Sequence, residues 1–378
     1  MAVRVFLLFT LGYFLSYFYR SANAVLAKDL SQELGLGPAE LGFMTSLFYL
    51  AFASVQLPLG GLLDRLGPRL VTPSLLLVAA LGSLVFGLAQ SFALLALGRA
   101  LIGVGMAAAL MGSMRAFSLW FPKNYATVST LLVGLGATGG LLAATPLALL
   151  KEAVGWRGVF LLGAFVVALV ALALYLGVRN APPGVAWPKD GGPGGLREVL
   201  RNGKLLRVAF LAFAFAGGFL SLQTLWAGAY AYHLGLEAVQ VGNLLFLYSG
   251  LAVLGFLASG YLADRLGTAR VLLASALLFA LGLLLLLLKL LAPAYALLGF
   301  FGAFNILTLT QARELVAVHL VGRGTTLVNL FGIGGTFLLQ WGLGVAVGAL
   351  GYALAFGGLL ALLLLALILY LPLLQRSG

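Results

Sequence analysis

The chain has 378 residues, of which 62% are hydrophobic and 8% charged, and its formal net charge is +12. Soluble domains rarely exceed half apolar residues, so this composition excludes a soluble domain and requires a membrane protein. With no cysteine there is no disulfide framework, thiolate metal site or cysteine nucleophile, and the two histidines, His233 and His319, stand too far apart for a metal-ligand pattern.

A spanning helix needs about 20 apolar residues. Twelve stretches meet that requirement, at roughly 5–27, 39–63, 71–90, 92–121, 124–151, 156–179, 204–232, 237–263, 270–290, 292–320, 322–349 and 351–373. The first, Val5 to Ala27, is too long for the core of a cleavable signal, so it is expected to remain as a membrane helix. Most connections are short. Residues 180–203 differ, with four prolines, six glycines and several charges, and read as a linker between two halves. Within it, Leu196, Val199 and Leu200 set against Arg197, Glu198 and Arg201 suggest a short interfacial helix. The expected organisation is a six-helix bundle over 1–179, a cytoplasmic linker over 180–203 and a second six-helix bundle over 204–378.

Basic residues set the orientation. Fourteen of the 22 fall at one side of the spans, and only Lys28, Lys151, Arg157 and Lys289 fall at the other. Cytoplasmic loops of polytopic proteins collect Lys and Arg, which places both termini and the linker in the cytoplasm of a cell-membrane protein. The positive charge is then topology, and no nucleic-acid partner is expected.

The two halves repeat. Gly60-Gly-Leu-Leu-Asp64-Arg65-Leu-Gly67 after the second span returns as Gly260-Tyr-Leu-Ala-Asp264-Arg265-Leu-Gly267 after the eighth, an offset of 200 residues. Internal duplication of this kind is typical of secondary transporters. With Arg69 and Arg270 following, the two copies resemble motif A of the major facilitator superfamily, although the basic tail is thinner than the family pattern. The segment Gly98-Arg99-Ala-Leu-Ile-Gly103-Val-Gly105 is similar to the same family's Arg-x-x-x-Gly-x-Gly motif. The resemblance implies an all-α membrane fold of 12 helices in two pseudo-symmetric bundles. It also implies that the two motif A loops act as a breakable latch on the cytoplasmic face. The alternative is that Asp64 and Arg65 only fix the loop and its orientation.

Four arginines lie inside apolar stretches, where each costs about 2.5–3.5 kcal/mol on insertion scales. Arg20 is roughly 15 residues into the first span, about 22 Å along its axis. Tyr13 and Tyr17 precede it on one helical face, and Asn23 follows. An arginine flanked by tyrosine hydroxyls is suited to hold a carboxylate or phosphate oxygen. Alternatively, it snorkels outward or pairs with Asp29. The first span is also similar to that of organophosphate–phosphate antiporters, which implies an anion-binding Arg20. Arg115 precedes a Trp-Phe pair, as in organic-anion members of the family, and either contacts substrate or pairs with Asp64. Arg313 and Glu314 either pair with Asp264 and Arg265 as a second latch, or Glu314 carries a coupling proton. The resemblance associates Arg99 with proton coupling. However, proton-coupled organic-anion members have a glutamate seven residues later, where this chain has Met106. Asp29, Glu237 and His233 are further candidates for the proton. Phe219, Gln223, Trp226 and Tyr230 share one face of the seventh span. Asn305 and Thr308 in the tenth span, and Asn329, Gln340 and Trp341 in the eleventh, add polar and aromatic groups. Some of these are expected to line a cavity and others to join helices.

The expected function is a secondary active transporter of a small organic anion: a carboxylate, sugar acid or organophosphate. The halves would rock in alternating access around Arg20 and the polar face that holds Gln223, Trp226 and Asn305. H+, Na+ or a counter-anion would couple as symport or antiport. A multidrug/H+ antiporter is the alternative, but those carry Gly-Pro-x-x-Gly-Gly in the fifth span, where this chain has Leu135-Gly136-Ala137-Thr138-Gly139-Gly140. Nitrate carriers place arginines in the second and eighth spans, whose cores have none here. A non-transporting nutrient sensor would be expected to carry large soluble extensions. No nucleophile–base pair, metal cluster or nucleotide loop is legible, so neither an enzyme nor a cofactor is expected, and the partners are the bilayer and the substrate of a monomer.

Overall fold

The computed structural model describes residues 1–122, 125–185, 200–316 and 321–376. Helix dominates, and no strand occurs among the described residues. A backbone in hydrocarbon must satisfy its own N–H and C=O groups, which a helix does internally. The helices are α1 Ala2–Leu34, α2 Pro38–Leu66, α3 Pro68–Gly87, α4 Phe92–Met106, α5 Ala108–Trp120, α6 Tyr125–Ala137, α7 Gly139–Leu142 and α8 Thr145–Gly177. They continue as α9 Gly203–Ser221, α10 Ala227–His233, α11 Ala238–Leu266, α12 Thr268–Leu287, α13 Leu291–Gly302, α14 Leu307–Glu314 and α15 Val321–Tyr370. A π-helical turn, Leu222–Trp226, joins α9 to α10, and a 3-10 turn, Ala303–Ile306, joins α13 to α14.

Among the described residues, ten helices are long and apolar enough to cross a membrane, against the twelve stretches read from the sequence. The fifth stretch is divided among α6, α7 and the start of α8, with no helix inside it long enough to cross, and the eleventh and twelfth run together in α15. Gly155 in α8 has φ 70 and ψ 164, and Gly351 in α15 has φ 80 and ψ 169, so each long helix holds two segments that meet at a break. A side chain would be strained at such φ values, which is why glycine stands there. The tenth stretch also ends earlier than 320, because α14 stops at Glu314 and residues 317–320 lie outside the described residues. The interfacial helix expected over 196–201 falls mostly outside them too.

The chain divides into two compact units, Met1–Leu36 with Leu47–Gly192, and Gly37–Ser46 with Pro193–Gly378. In the first, Phe86 and Phe160 pack at 4.2 Å between ring centroids, with Trp156 edge-on to Phe86. The Tyr19 hydroxyl donates to Ser83 Oγ at 2.7 Å, which in turn donates to the Phe160 carbonyl at 2.7 Å. This chain joins α1, α3 and α8 through one buried polar line. In the second unit, Phe219 stacks on Tyr248 at 5.6 Å, and the Tyr248 hydroxyl donates to the Phe219 carbonyl at 3.0 Å. Tyr295 donates to the Ala227 carbonyl at 2.6 Å, so α9–α10, α11 and α13 are held together by aromatic hydroxyls spent on carbonyls.

Candidate functional site

The first unit holds a cationic cluster on α1. Thr10, Tyr13, Tyr17 and Arg20 follow at intervals of three, four and three residues, so they share one face. Tyr13 and Tyr17 are buried and meet edge to face at 5.2 Å. The half-buried Arg20 guanidinium lies 4.9 Å from the Tyr17 ring, 5.6 Å from Phe52 and 5.8 Å from Phe48. Among the described residues its guanidinium donates to Ser16 Oγ over a stretched 3.5 Å, and its buried Nε has no partner. Three rings therefore position the cation while leaving much of its donor capacity unused. Thr10 Oγ1 is also buried without a partner among the described residues, and the sequence does not single it out, because a lone threonine in an apolar run carries no signal. Asn23 is fully buried one turn further on.

The alternative pairing of Arg20 with Asp29 does not occur. Asp29 is taken by Lys151 at 2.8 Å. Glu33 is held by Arg157 and by the Trp156 indole, whose Nε1 donates at 2.6 Å. No carboxylate pairs with Arg20 among the described residues, and no acidic side chain is buried among them.

Arg99 sits behind this cluster, fully buried on α4. Its Nη1 donates to the Tyr19 carbonyl at 2.6 Å and its Nη2 to the Arg20 carbonyl at 3.3 Å. Phe48 is 5.0 Å from its guanidinium, so the same ring faces both arginines. Arg99 thus ties α4 to the turn of α1 that carries Arg20. The sequence suggested a coupling group; the contacts are those of a positioning group, made to backbone oxygens that no sequence motif displays.

The other proton candidates differ from expectation. Glu314 is not well inside a helix: it is the exposed last residue of α14, beside exposed Arg313. It accepts from Thr268 Oγ1 at 2.6 Å, so it reaches the second loop through a hydroxyl rather than through Arg265. Glu237 closes a capping box with Gln240 at the start of α11. His233 is exposed and packs 4.7 Å from Tyr352.

Both Gly-x-x-x-Asp-Arg-x-Gly copies end in a one-residue turn at a glycine of positive φ, Gly67 at 77 and Gly267 at 87. Around the first, Asn180 Oδ1 accepts from the Arg69 backbone N–H at 2.8 Å, and its amide donates to the Leu66 carbonyl at 3.4 Å. Arg69 Nε donates to the Tyr175 carbonyl at 3.1 Å, and its guanidinium lies 5.5 Å from that ring. The turn is therefore fastened to the end of α8. Asn180, read as the first residue of a linker, is expected to matter here: Asn180→Ala should cost about 1–2 kcal/mol and raise amide exchange at Arg69, measurable by hydrogen–deuterium exchange. The side chains of Asp64 and Gly60's surroundings lie outside the described residues, so the expected Arg115–Asp64 pair does too; Arg115 itself is half-buried on α5. Arg65, Gly260, Asp264 and Arg270 are exposed.

The second unit holds a neutral polar set of its own. Gln223 lies in the π-helical turn, buried, and its Oε1 has no partner among the described residues. A π turn offsets the side chains that follow it and often marks a functional position. Trp226 is fully buried and its indole donates to the Gln340 carbonyl at 2.9 Å, which makes it a packing residue rather than the open ligand contact expected. Asn305 donates to its own helix at the Gly302 carbonyl, 2.7 Å away, yet also lines a small cavity of about 80 Å³ with Thr308 and Asn329.

A family model described as Major Facilitator Superfamily matches residues 9–237 and again residues 209–377. The two matches begin at the same 200-residue offset as the repeated turn. A probable L-galactonate transporter of Escherichia coli (strain K12) is 30% identical over 173 residues, 44% of this chain and 37% of that protein. A D-galactonate transporter of Escherichia coli O6:H1 is 27% identical over 283 residues, 66% of this chain and 64% of that protein. In neither does the match reach two thirds of the relative's length. A solved structure of the nucleoside transporter NupG superposes with a TM-score of 0.83 at 14% identity, covering 97% of this chain and 99% of that one, a likeness of fold.

Proposed function

Because the chain belongs to the major facilitator superfamily, we propose that it is a secondary transporter of a small organic anion, a carboxylate, sugar acid or organophosphate, working by alternating access. The observation that carries this reading is Arg20: a half-buried cation in an aromatic cage, with donors to spare and no carboxylate partner among the described residues. An anionic substrate supplies the missing partner, and the planar guanidinium donates to two of its oxygens at once. Tyr17 and Tyr13 limit the pocket, and Arg99 holds the α1 backbone in place. The relatives named for galactonate transport support a sugar acid as the first substrate class to test.

Alternating access needs a ligand that binds the two states differently. A strong cation that gains a partner only when substrate is bound provides such a difference. The motif A turns, with Gly67 and Gly267 as hinges and Asp64, Arg65, Asp264 and Arg265 as polar groups, are the proposed latch. The coupling ion is H+, Na+ or a counter-anion; Glu314, exposed and bonded to Thr268, is the remaining acidic candidate in the tenth stretch. The proposed location is the inner cell membrane.

The test is a thermal-shift screen of the purified protein against galactonate, glucuronate, sugar phosphates, nitrate and lipophilic cations. A ligand at 100 times its Kd stabilises by about 2.7 kcal/mol. Stabilisation by sugar acids supports the reading; stabilisation by lipophilic cations alone overturns it. Gln223→Leu adds a second measurement. If its unpaired Oε1 meets a substrate hydroxyl, affinity falls roughly tenfold, the cost of one hydrogen bond to a polar ligand, while the ligand-free melting temperature holds.

A further inference from the structure

We propose that the second unit carries a binding site for one anionic phospholipid at the basic end of α11 and α12. A cavity of about 430 Å³ opens there. Its floor is apolar, formed by Leu262, Val271, Leu278, Phe301 and Phe304, and its rim holds Arg265 and Arg270. Both arginines are exposed. Arg265 rests on the Tyr261 ring at 4.5 Å, and Arg270 makes no hydrogen bond or ion pair among the described residues. Asp264 stands in the same turn and pairs with neither of them.

The contrast with the first copy of the turn carries the argument. There the basic residue after the glycine, Arg69, is spent on the Tyr175 carbonyl and ring. In the second copy the position equivalent to Arg69 is Ala269, and the basic residue falls one place later, at Arg270, where it is left open beside a groove. An apolar floor within a membrane-spanning bundle with two cations at the end where basic residues concentrate matches an acyl chain with an anionic headgroup. Basic pockets between helices on the cytoplasmic side bind such headgroups. A water-soluble anion has no use for the floor, and a zwitterionic lipid gains less from the rim.

Native mass spectrometry of the full-length protein, delipidated and titrated with dioleoylphosphatidylglycerol, dioleoylphosphatidylcholine or inorganic phosphate, tests this. Expected is one retained phosphatidylglycerol, bound in preference to phosphatidylcholine. Binding should weaken about fivefold for each arginine removed, so about 30-fold in the Arg265→Gln/Arg270→Gln double variant. Ala274→Trp, which fills the groove and keeps both charges, should weaken it as strongly. A control pair elsewhere on the basic side, Arg179→Gln/Arg207→Gln, should not. Equal retention of phosphatidylcholine, displacement by free phosphate, an unaffected Ala274→Trp variant, or the same loss in the control pair would each overturn the proposal.

Discussion

Arg20→Ala is expected to remove anion uptake into proteoliposomes and the thermal shift produced by the same anion, while the ligand-free protein melts where the parent does. The asymmetry follows from the contacts. Among the described residues the Arg20 side chain has a stretched hydrogen bond at 3.5 Å and three ring contacts, so little of it is committed to the fold. Its value lies in the partner it receives. Truncating one side of a desolvated charge pair costs about 2–5 kcal/mol, which is roughly 30-fold or more in affinity. Arg20→Lys separates charge from geometry: it keeps the cation and loses the planar fork and its stacking. An intermediate loss, about tenfold, is expected. Parent-like uptake by Arg20→Ala would remove the anion pocket from α1 altogether.

Arg99→Ala is expected to do the opposite, lowering stability first and transport as a consequence. Arg99 is fully buried and makes two charge-assisted bonds to the carbonyls of Tyr19 and Arg20. Losing them and opening a void should cost about 3–5 kcal/mol, a fall of several degrees in the melting temperature of the ligand-free protein. Arg99→Met refills part of the volume and removes a costly buried charge, so its melting temperature should fall less. Both variants should lose uptake, because the turn of α1 that carries Arg20 is no longer held. An Arg99→Ala protein that melts normally but transports without its coupling ion would instead make Arg99 a coupling group.

Much was legible in residues alone. The 62% hydrophobic composition and the runs of about 20 apolar residues required membrane helices. The turn repeated at Gly60–Gly67 and Gly260–Gly267 pointed to the family that the chain belongs to. Arg20 stood out for the same elementary reason: a charge in an apolar run is expensive, so it marks itself. Its neighbours on α1 could be listed by helical spacing, which depends only on one element.

Partnerships between elements were not legible. Asp29 chose Lys151 over the much closer Arg20, across 122 residues of sequence, because the ion pair depends on which helix ends lie side by side. Arg99 spent its charge on backbone carbonyls, which every residue possesses and no pattern advertises. Trp226 was expected to be open and is sealed against Gln340, and Glu314 was expected to be inside a helix and closes one. Asn180 looked like linker and fastens a turn. The sequence by itself determined which residues must leave water and which charges would be costly there, because hydropathy and helical period are properties of a single segment. Only the tertiary structure decided which of those charges were answered by a neighbour and which, like Arg20, kept donors unpaired among the described residues, because that depends on side chains brought together from helices far apart in the chain.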